Sequence, residues 1–211
     1  NSIGRGRMDT EIKNKMILVC QSLMEMLELA FKGFRRPTEE SFKEAEELEE
    51  KLHRYSSELT SFIISKTPST EKEKEFVKPY LSIASGLDRM AYNIEGILDR
   101  VRGKAENHIF FSDQAVKEVN GVFQEAMRLL ENLRHLLTTE SKSLAQRIGE
   151  EGRSVIKTAD GYSEEHEERL MNGICAPKHS PVYLSIIESL KGVTVHTLAV
   201  SGKIVSLSSK S

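Results

Sequence analysis

Tyr80-Leu81-Ser82-Ile83 and Tyr183-Leu184-Ser185-Ile186 are the same four residues written twice, about 100 positions apart. In the same register Leu87 aligns with Leu190 and Val101 with Ile204. Each copy opens a long run with apolar residues at three- and four-residue spacing, the pattern of a helix that buries one stripe. A tetrapeptide repeated at the head of the same element reads as duplication of one structural unit. Each half then needs two further helices before that element, and the stripes supply them.

In the first half, Ile12, Met16, Leu23, Leu27, Phe31 and Phe34 form a stripe that stops at Arg35-Arg36-Pro37. Proline cannot continue the hydrogen-bond ladder, and Thr38-Glu39-Glu40 offers the next helix an N-cap and acidic first-turn residues. That second helix runs from about Glu39 to Ser65 through Phe42, Leu48, Leu52, Leu59 and Ile63. Ser69-Thr70-Glu71 reads as the cap of a short helical turn, and Pro79 as a first-turn residue of the third helix, which closes at Gly103. In the second half Ser112 caps a helix reaching about Leu137, a fifth helix spans about Ser141 to Met171, and a sixth follows Pro181 as far as about Leu207. Gly149, Gly152 and Gly161 interrupt the fifth stripe. At about 1 kcal/mol each relative to alanine they predict a bend or local break. The expected fold is all-α, with two repeated three-helix bundles, residues 1–103 and 104–211, lying side by side.

Composition narrows the class. The 211 residues are 38% hydrophobic and carry 30 Lys+Arg against 32 Asp+Glu, a net charge of −2. So balanced a chain is not a general nucleic-acid binder. Cys20 lies inside an apolar helical run and neither it nor Cys175 belongs to a Cys-x-x-Cys pair, so reduced thiols and a cytoplasmic setting are expected. No apolar run approaches the roughly 20 residues that span a bilayer, and the polar, basic start is not a signal peptide. Arg5, Arg7, Lys13 and Lys15 read either as a collar drawn to anionic lipid or as an ordinary helix start.

No catalytic constellation emerges. His166-Glu-Glu-Arg lacks the second histidine of a zinc-protease helix, because Leu170 stands there, and Gly149-x-x-Gly152 sits in a helical pattern rather than a phosphate loop. Glu50-Lys51-Leu52-His53 is the one Glu-x-x-His pair, where a di-iron bundle needs two. Cys175 and His179 make an incomplete zinc set. Glu46-Glu47-Leu48-Glu49-Glu50 reads as a solvated face that could also lend oxygen ligands to a metal on the neighbouring helix. Met16, Met24 and Met26 read as core filling or as an adaptable partner surface.

Leu87-Asp88-Arg89-Met90-Ala91-Tyr92-Asn93 resembles the signature of the PhoU family, a Leu-Glu-Arg-Ile-Gly-Asp-His-type run on the third helix of a three-helix repeat. The stretch from Tyr162 to Leu190 resembles the PhoU-like cytoplasmic region of bacterial sodium/phosphate cotransporters. The resemblance implies a non-catalytic regulator of phosphate uptake, placed in the cytoplasm or at the inner face of the membrane. Its implied partner is a phosphate transporter or that transporter's membrane domain, with a homodimer as a further option. In some members the motif's acids hold iron or zinc clusters, since carboxylates at i and i+4 share one helix face. Here Asp88 keeps the first carboxylate and Tyr92 replaces the second, while Lys191 and Val195 occupy the corresponding places in the second copy and only His196 survives. No metal, cofactor or catalytic residue is therefore expected. Asp88 is expected to pair with a basic residue of another helix, and Lys191 with a fifth-helix acid such as Glu150, Glu151 or Glu167.

Overall fold

The duplication is visible first in the helix starts. The computed structural model describes residues 8–66 and 71–208, which form α1 (Thr10–Arg35), α2 (Glu39–Ser65), α3 (Glu71–Glu106), α4 (Asp113–Thr139), α5 (Lys142–Met171) and α6 (Ser180–Ser208). Asp9 caps α1 by accepting hydrogen bonds from the Glu11 and Ile12 amides, and Ser112 caps α4 from Ala115. Thr38 caps α2 from the Ser41 amide, and Ser141 caps α5 from Leu144. Both pairs of caps are 103 residues apart, the same step that separates Tyr80 from Tyr183. One offset thus relates the two halves from the first helix to the third.

Within each half all three helices touch one another, and across the halves α1 meets α4 and α3 meets α6. The most extensive of these contacts is the antiparallel seam between α3 and α6. The buried apolar residues join into one core that runs through both bundles, from Met16, Leu23 and Leu27 through Ile83, Leu87 and Ile94 to Leu130, Leu133, Ile186 and Leu190. Met16 and Met26 lie fully inside it and Met24 packs against its edge, so these side chains fill core. Cys20 is buried there too, and burial pushes its thiol up to about 12.

The repeated tetrapeptide has a distinct task for each polar group. Tyr80 is buried and its hydroxyl accepts the Asp9 amide at 3.4 Å, while Tyr183 is buried and its hydroxyl donates to Glu118 Oε2 at 2.5 Å. Each tyrosine thereby ties the third helix of its half to the beginning of the first. The serines serve the seam. Arg100 Nε donates to Ser185 Oγ at 3.1 Å, and Lys203 Nζ donates to the Ser82 carbonyl at 3.4 Å. Stepping by 103 turns Ser82 into Ser185 and Arg100 into Lys203, so the two bonds join equivalent positions across the seam, one on a serine hydroxyl and the other on a backbone carbonyl.

The second half also encloses an ion pair. Glu118 on α4 is 2% exposed, and Arg169 on α5 grips it through both guanidinium branches at 3.0 and 2.8 Å, with Gln114 adding a bond at 2.9 Å. His166 stacks on Tyr183 with ring centroids 4.2 Å apart and shares a 2.9 Å hydrogen bond with Ser180. A carboxylate this buried is tolerable because its oxygens are satisfied, and removing Arg169 would strand it.

Two expectations need correction. The third helix starts two turns earlier than Pro79 suggests and continues to Glu106, so Pro79 lies inside it, flanked by the buried anchors Val77 and Tyr80. Burial of those neighbours offsets the lost backbone bond, which costs about 3 kcal/mol. Of the cap expected at Ser69-Thr70-Glu71, Ser69 and Thr70 lie outside the described residues, as do Arg5 and Arg7. α5 is also unbroken through all three glycines. Gly152 is there for proximity, since a Cβ on it would come within 2.0 Å of Leu198 Cδ1 on α6.

Glycines on the seam answer the same need. A Cβ on Gly86 would lie 2.4 Å from Val200 Cγ2, whereas one on Gly121 would meet nothing within 4 Å. Urea denaturation should therefore separate two chemically identical changes. Gly86→Ala is expected to destabilise the protein by about 1–2 kcal/mol, overpacking outweighing the gain in helix propensity. Gly121→Ala is expected to stabilise it by about 0.5–1 kcal/mol.

Candidate functional site

α2 and α3 run antiparallel with polar side chains between their exposed edges. Glu49 and His53, one turn apart on α2, face Glu95 on α3, and one ligand atom from each of the three lies within 4.8 Å of the others. His53 Nε2 is 3.3 Å from Glu95 Oε1 and 3.7 Å from Glu49 Oε1. These are ion-pair distances, but Glu95 Oε1 is buried and accepts no well-aligned hydrogen bond. Beside the trio runs an open groove of about 440 Å³, walled on α2 by the hydroxyls of Ser56, Ser57, Thr60 and Ser61 and on α3 by Asp88 and Tyr92.

The groove gathers negative charge against one histidine. Burial raises the Glu95 carboxyl above its ordinary range; the His53 ring opposes that, and Glu49, Asp99 and Asp88 add to it. A cation placed among Glu49, His53 and Glu95 would relieve all of these effects together. One nitrogen and two carboxylates suit a borderline divalent ion such as zinc or iron better than calcium.

The second half has lost the equivalent place. Stepping by 103 carries Glu49, His53 and Glu95 to Gly152, Ile156 and Leu198. There α5 lies directly against α6, with Gly152 beneath the Leu198 side chain. Where one half has the acid–histidine trio, the other has apolar contact.

The positions singled out by the motif are distributed unevenly around this groove. Asp88 is exposed, lines the groove and has no ion-pair partner among the described residues, contrary to the pairing expected for it. Lys191 does pair with a fifth-helix acid, but that acid is Asp160 at 2.8 Å, with Glu188 of α6 adding a second contact at 2.8 Å. Glu151 is committed to Arg128 instead, at 2.6 Å. Tyr92 is 78% exposed and Val195 42%, so both positions where the resemblance would place an acid display large apolar groups. His196 is half-buried on the seam, and burial followed by the charges of Arg89 and Lys203 lowers its pKa. Cys175 sits in the α5–α6 connection as a free thiol. Glu95 escaped sequence reasoning because it lies outside the motif. Its partners were legible only as an acidic run and a lone Glu-x-x-His pair, and the contact uses Glu49 rather than Glu50.

The architecture defines a class, a duplicated three-helix bundle joined through its third and sixth helices. No protein-family model and no curated protein matches the chain. Among solved structures it is similar to the phosphate transport system regulatory protein PhoU from Streptococcus pneumoniae, with a TM-score of 0.79 and 17% identity over 93% of each chain. It is also similar to PhoU from Pseudomonas aeruginosa, with a TM-score of 0.82 and 10% identity over 95% of this chain and 97% of that one. The fold is that of PhoU proteins.

The raised Glu95 carboxyl yields a pH-dependent expectation. An acid whose folded pKa exceeds its unfolded value favours folding only while protonated, so its contribution is lost as pH rises through that folded value. In chelator-treated protein Glu95→Gln should raise the melting temperature at pH 7 and leave it nearly unchanged near pH 4. Thermal scans at the two pH values check this.

Proposed function

We propose that this protein is a non-catalytic regulatory module of phosphate transport, acting by contact between its helix surfaces and a phosphate transporter, with a sodium-dependent cotransporter as the partner. The observation that carries the reading is agreement between the fold and the motif. The arrangement matches PhoU structures over nearly the whole chain, and Leu87–Asn93, the run that resembles the family signature, lies on the helix that joins the two halves. The same reading makes 1–103 and 104–211 the two copies of a duplicated unit and places the module in the cytoplasm, next to the inner face of the membrane. Among the described residues no helix is long and apolar enough to cross a membrane.

Regulation by contact needs exposed surface that differs from an ordinary solvated face. Tyr92 and Val195 supply apolar surface on α3 and α6. In this reading charge pairing around Lys191 stands in place of the metal cluster that the resemblance implies for some members of the family. Measuring phosphate uptake in cells carrying and lacking the coding region tests the role. Uptake, or its response to phosphate starvation, is expected to change on deletion, and an unchanged response in both conditions removes the regulatory reading.

A second reading has its own observation. The convergence of Glu49, His53 and Glu95 favours a PhoU-type protein that holds a single divalent ion in its first half. Those three residues would hold it, and the ion would supply positive charge that fixes α2 to α3. Metal analysis after chelator washing and reloading with zinc or iron separates the two readings. The metal reading expects about one equivalent retained, lost in His53→Ala, and the charge-pairing reading expects none.

A further inference from the structure

α5 meets the start of α6 through a polar pair that the first half lacks. His166 is 4% exposed, its Nε2 lies 2.9 Å from the Ser180 hydroxyl, and its ring stacks on Tyr183 with the planes 22° apart. Its other nitrogen, Nδ1, is buried and has no hydrogen-bond partner among the described residues. Stepping back by 103 turns His166 and Ser180 into Ile63 and Val77, both buried in the apolar core. One half places two aliphatic side chains at these positions, and the other a titratable ring and a hydroxyl. The pair also spans the α5–α6 connection, because Ser180 is where the chain re-enters helix after residues 172–179. Met171 and Ile174, at the head of that connection, are 78% and 72% exposed.

We propose that His166 is a proton-operated latch on the α5–α6 connection: the neutral ring holds Ser180 and the start of α6 against α5, and the protonated ring releases them. A neutral imidazole has one N–H and one bare nitrogen, so Nε2 can donate to Ser180 while Nδ1 stays bare; an imidazolium carries an N–H on both. The second N–H would be buried with no acceptor to receive it. The charged and titratable groups that face the ring are Arg169 and Glu167 on α5, Glu118 on α4 and the Tyr183 hydroxyl on α6. Arg169, one turn along α5, repels the added charge. Glu118 attracts it, but both Glu118 oxygens are already gripped by Arg169, and Glu167 acts from an exposed position. Burial first and Arg169 second hold the His166 pKa below the ordinary imidazole value. The unfolded ring therefore takes its proton at a higher pH than the folded one. The latch's contribution is complete above the ordinary value and is lost as pH falls from there toward the lowered one. Release frees the segment that displays Met171 and Ile174, so the apolar surface at this end of the second bundle changes with pH.

Hydrogen exchange of the full chain at pH 7.5 and pH 5.5, corrected for the intrinsic pH dependence of amide exchange, tests the latch. Protection across residues 172–187 is expected to fall about threefold or more at the lower pH, while α1 keeps its protection. His166→Gln retains a hydrogen-bonding partner for Ser180 but cannot titrate, and should abolish that local fall. The double variant His166→Ile with Ser180→Val installs the first half's pair and should abolish it too. A nuclear magnetic resonance titration of the unaltered protein needs no substitution, and the His166 ring should take its proton below the ordinary imidazole value. A fall that persists in both variants, a loss of protection shared equally by α1, or a ring that titrates at or above the ordinary value overturns the latch.

Discussion

Everything in this molecule depends on how closely α3 and α6 approach. Helices separated by large side chains could not bring Gly86 against Val200 or Asn93 against Gly192, and the two bundles would meet only through α1 and α4. Close packing makes the contact intolerant of added volume, because neighbours in a dense interior have nowhere to move. The same proximity lets Arg100 and Lys203 reach serines of the opposite half and place polar bonds on an apolar junction. The larger of the two junctions between the halves is therefore also the one least able to accept added volume.

The halves have diverged without losing register. In the second, a buried Glu118 is held by Arg169 and Tyr183, and α5 lies flush on α6 through Gly152. In the first, Lys15 stands where the offset places Glu118, and the edge between α2 and α3 keeps Glu49, His53 and Glu95. One half has moved its charges inside and satisfied them there. The other keeps them at a groove, where burial still raises Glu95 but solvent and small ions have access.

Much of this was legible in the residues. Apolar spacing located all six helices, the Thr38 and Ser112 caps read correctly, and the Tyr80 and Tyr183 repeat established the architecture. The failures share one physical origin. Pro79 and the α5 glycines were judged by local preference, yet the helix around each is stabilised by burial against other helices, a term that local sequence does not contain. Lys191 was expected to pair with an acid of α5 and does so, but the choice of Asp160 depends on helix rotation. Glu95 was invisible because its significance comes from Glu49 and His53, more than 40 positions away in sequence and adjacent only after α2 folds against α3.

The closure of one polar edge by Gly152 and Leu198 also gives the scaffold a direction. A duplicated fold presents two nearly equivalent flanks, and a visitor could settle on it in either of two opposite poses. Because one flank is a groove lined with acids and hydroxyls and the other packs Leu198 over Gly152 and pairs Lys191 with Asp160, those poses are no longer equal in energy. The molecule can be read like a keyed connector, whose repeat supplies rigidity while the difference between its flanks tells whatever docks there which way round to sit.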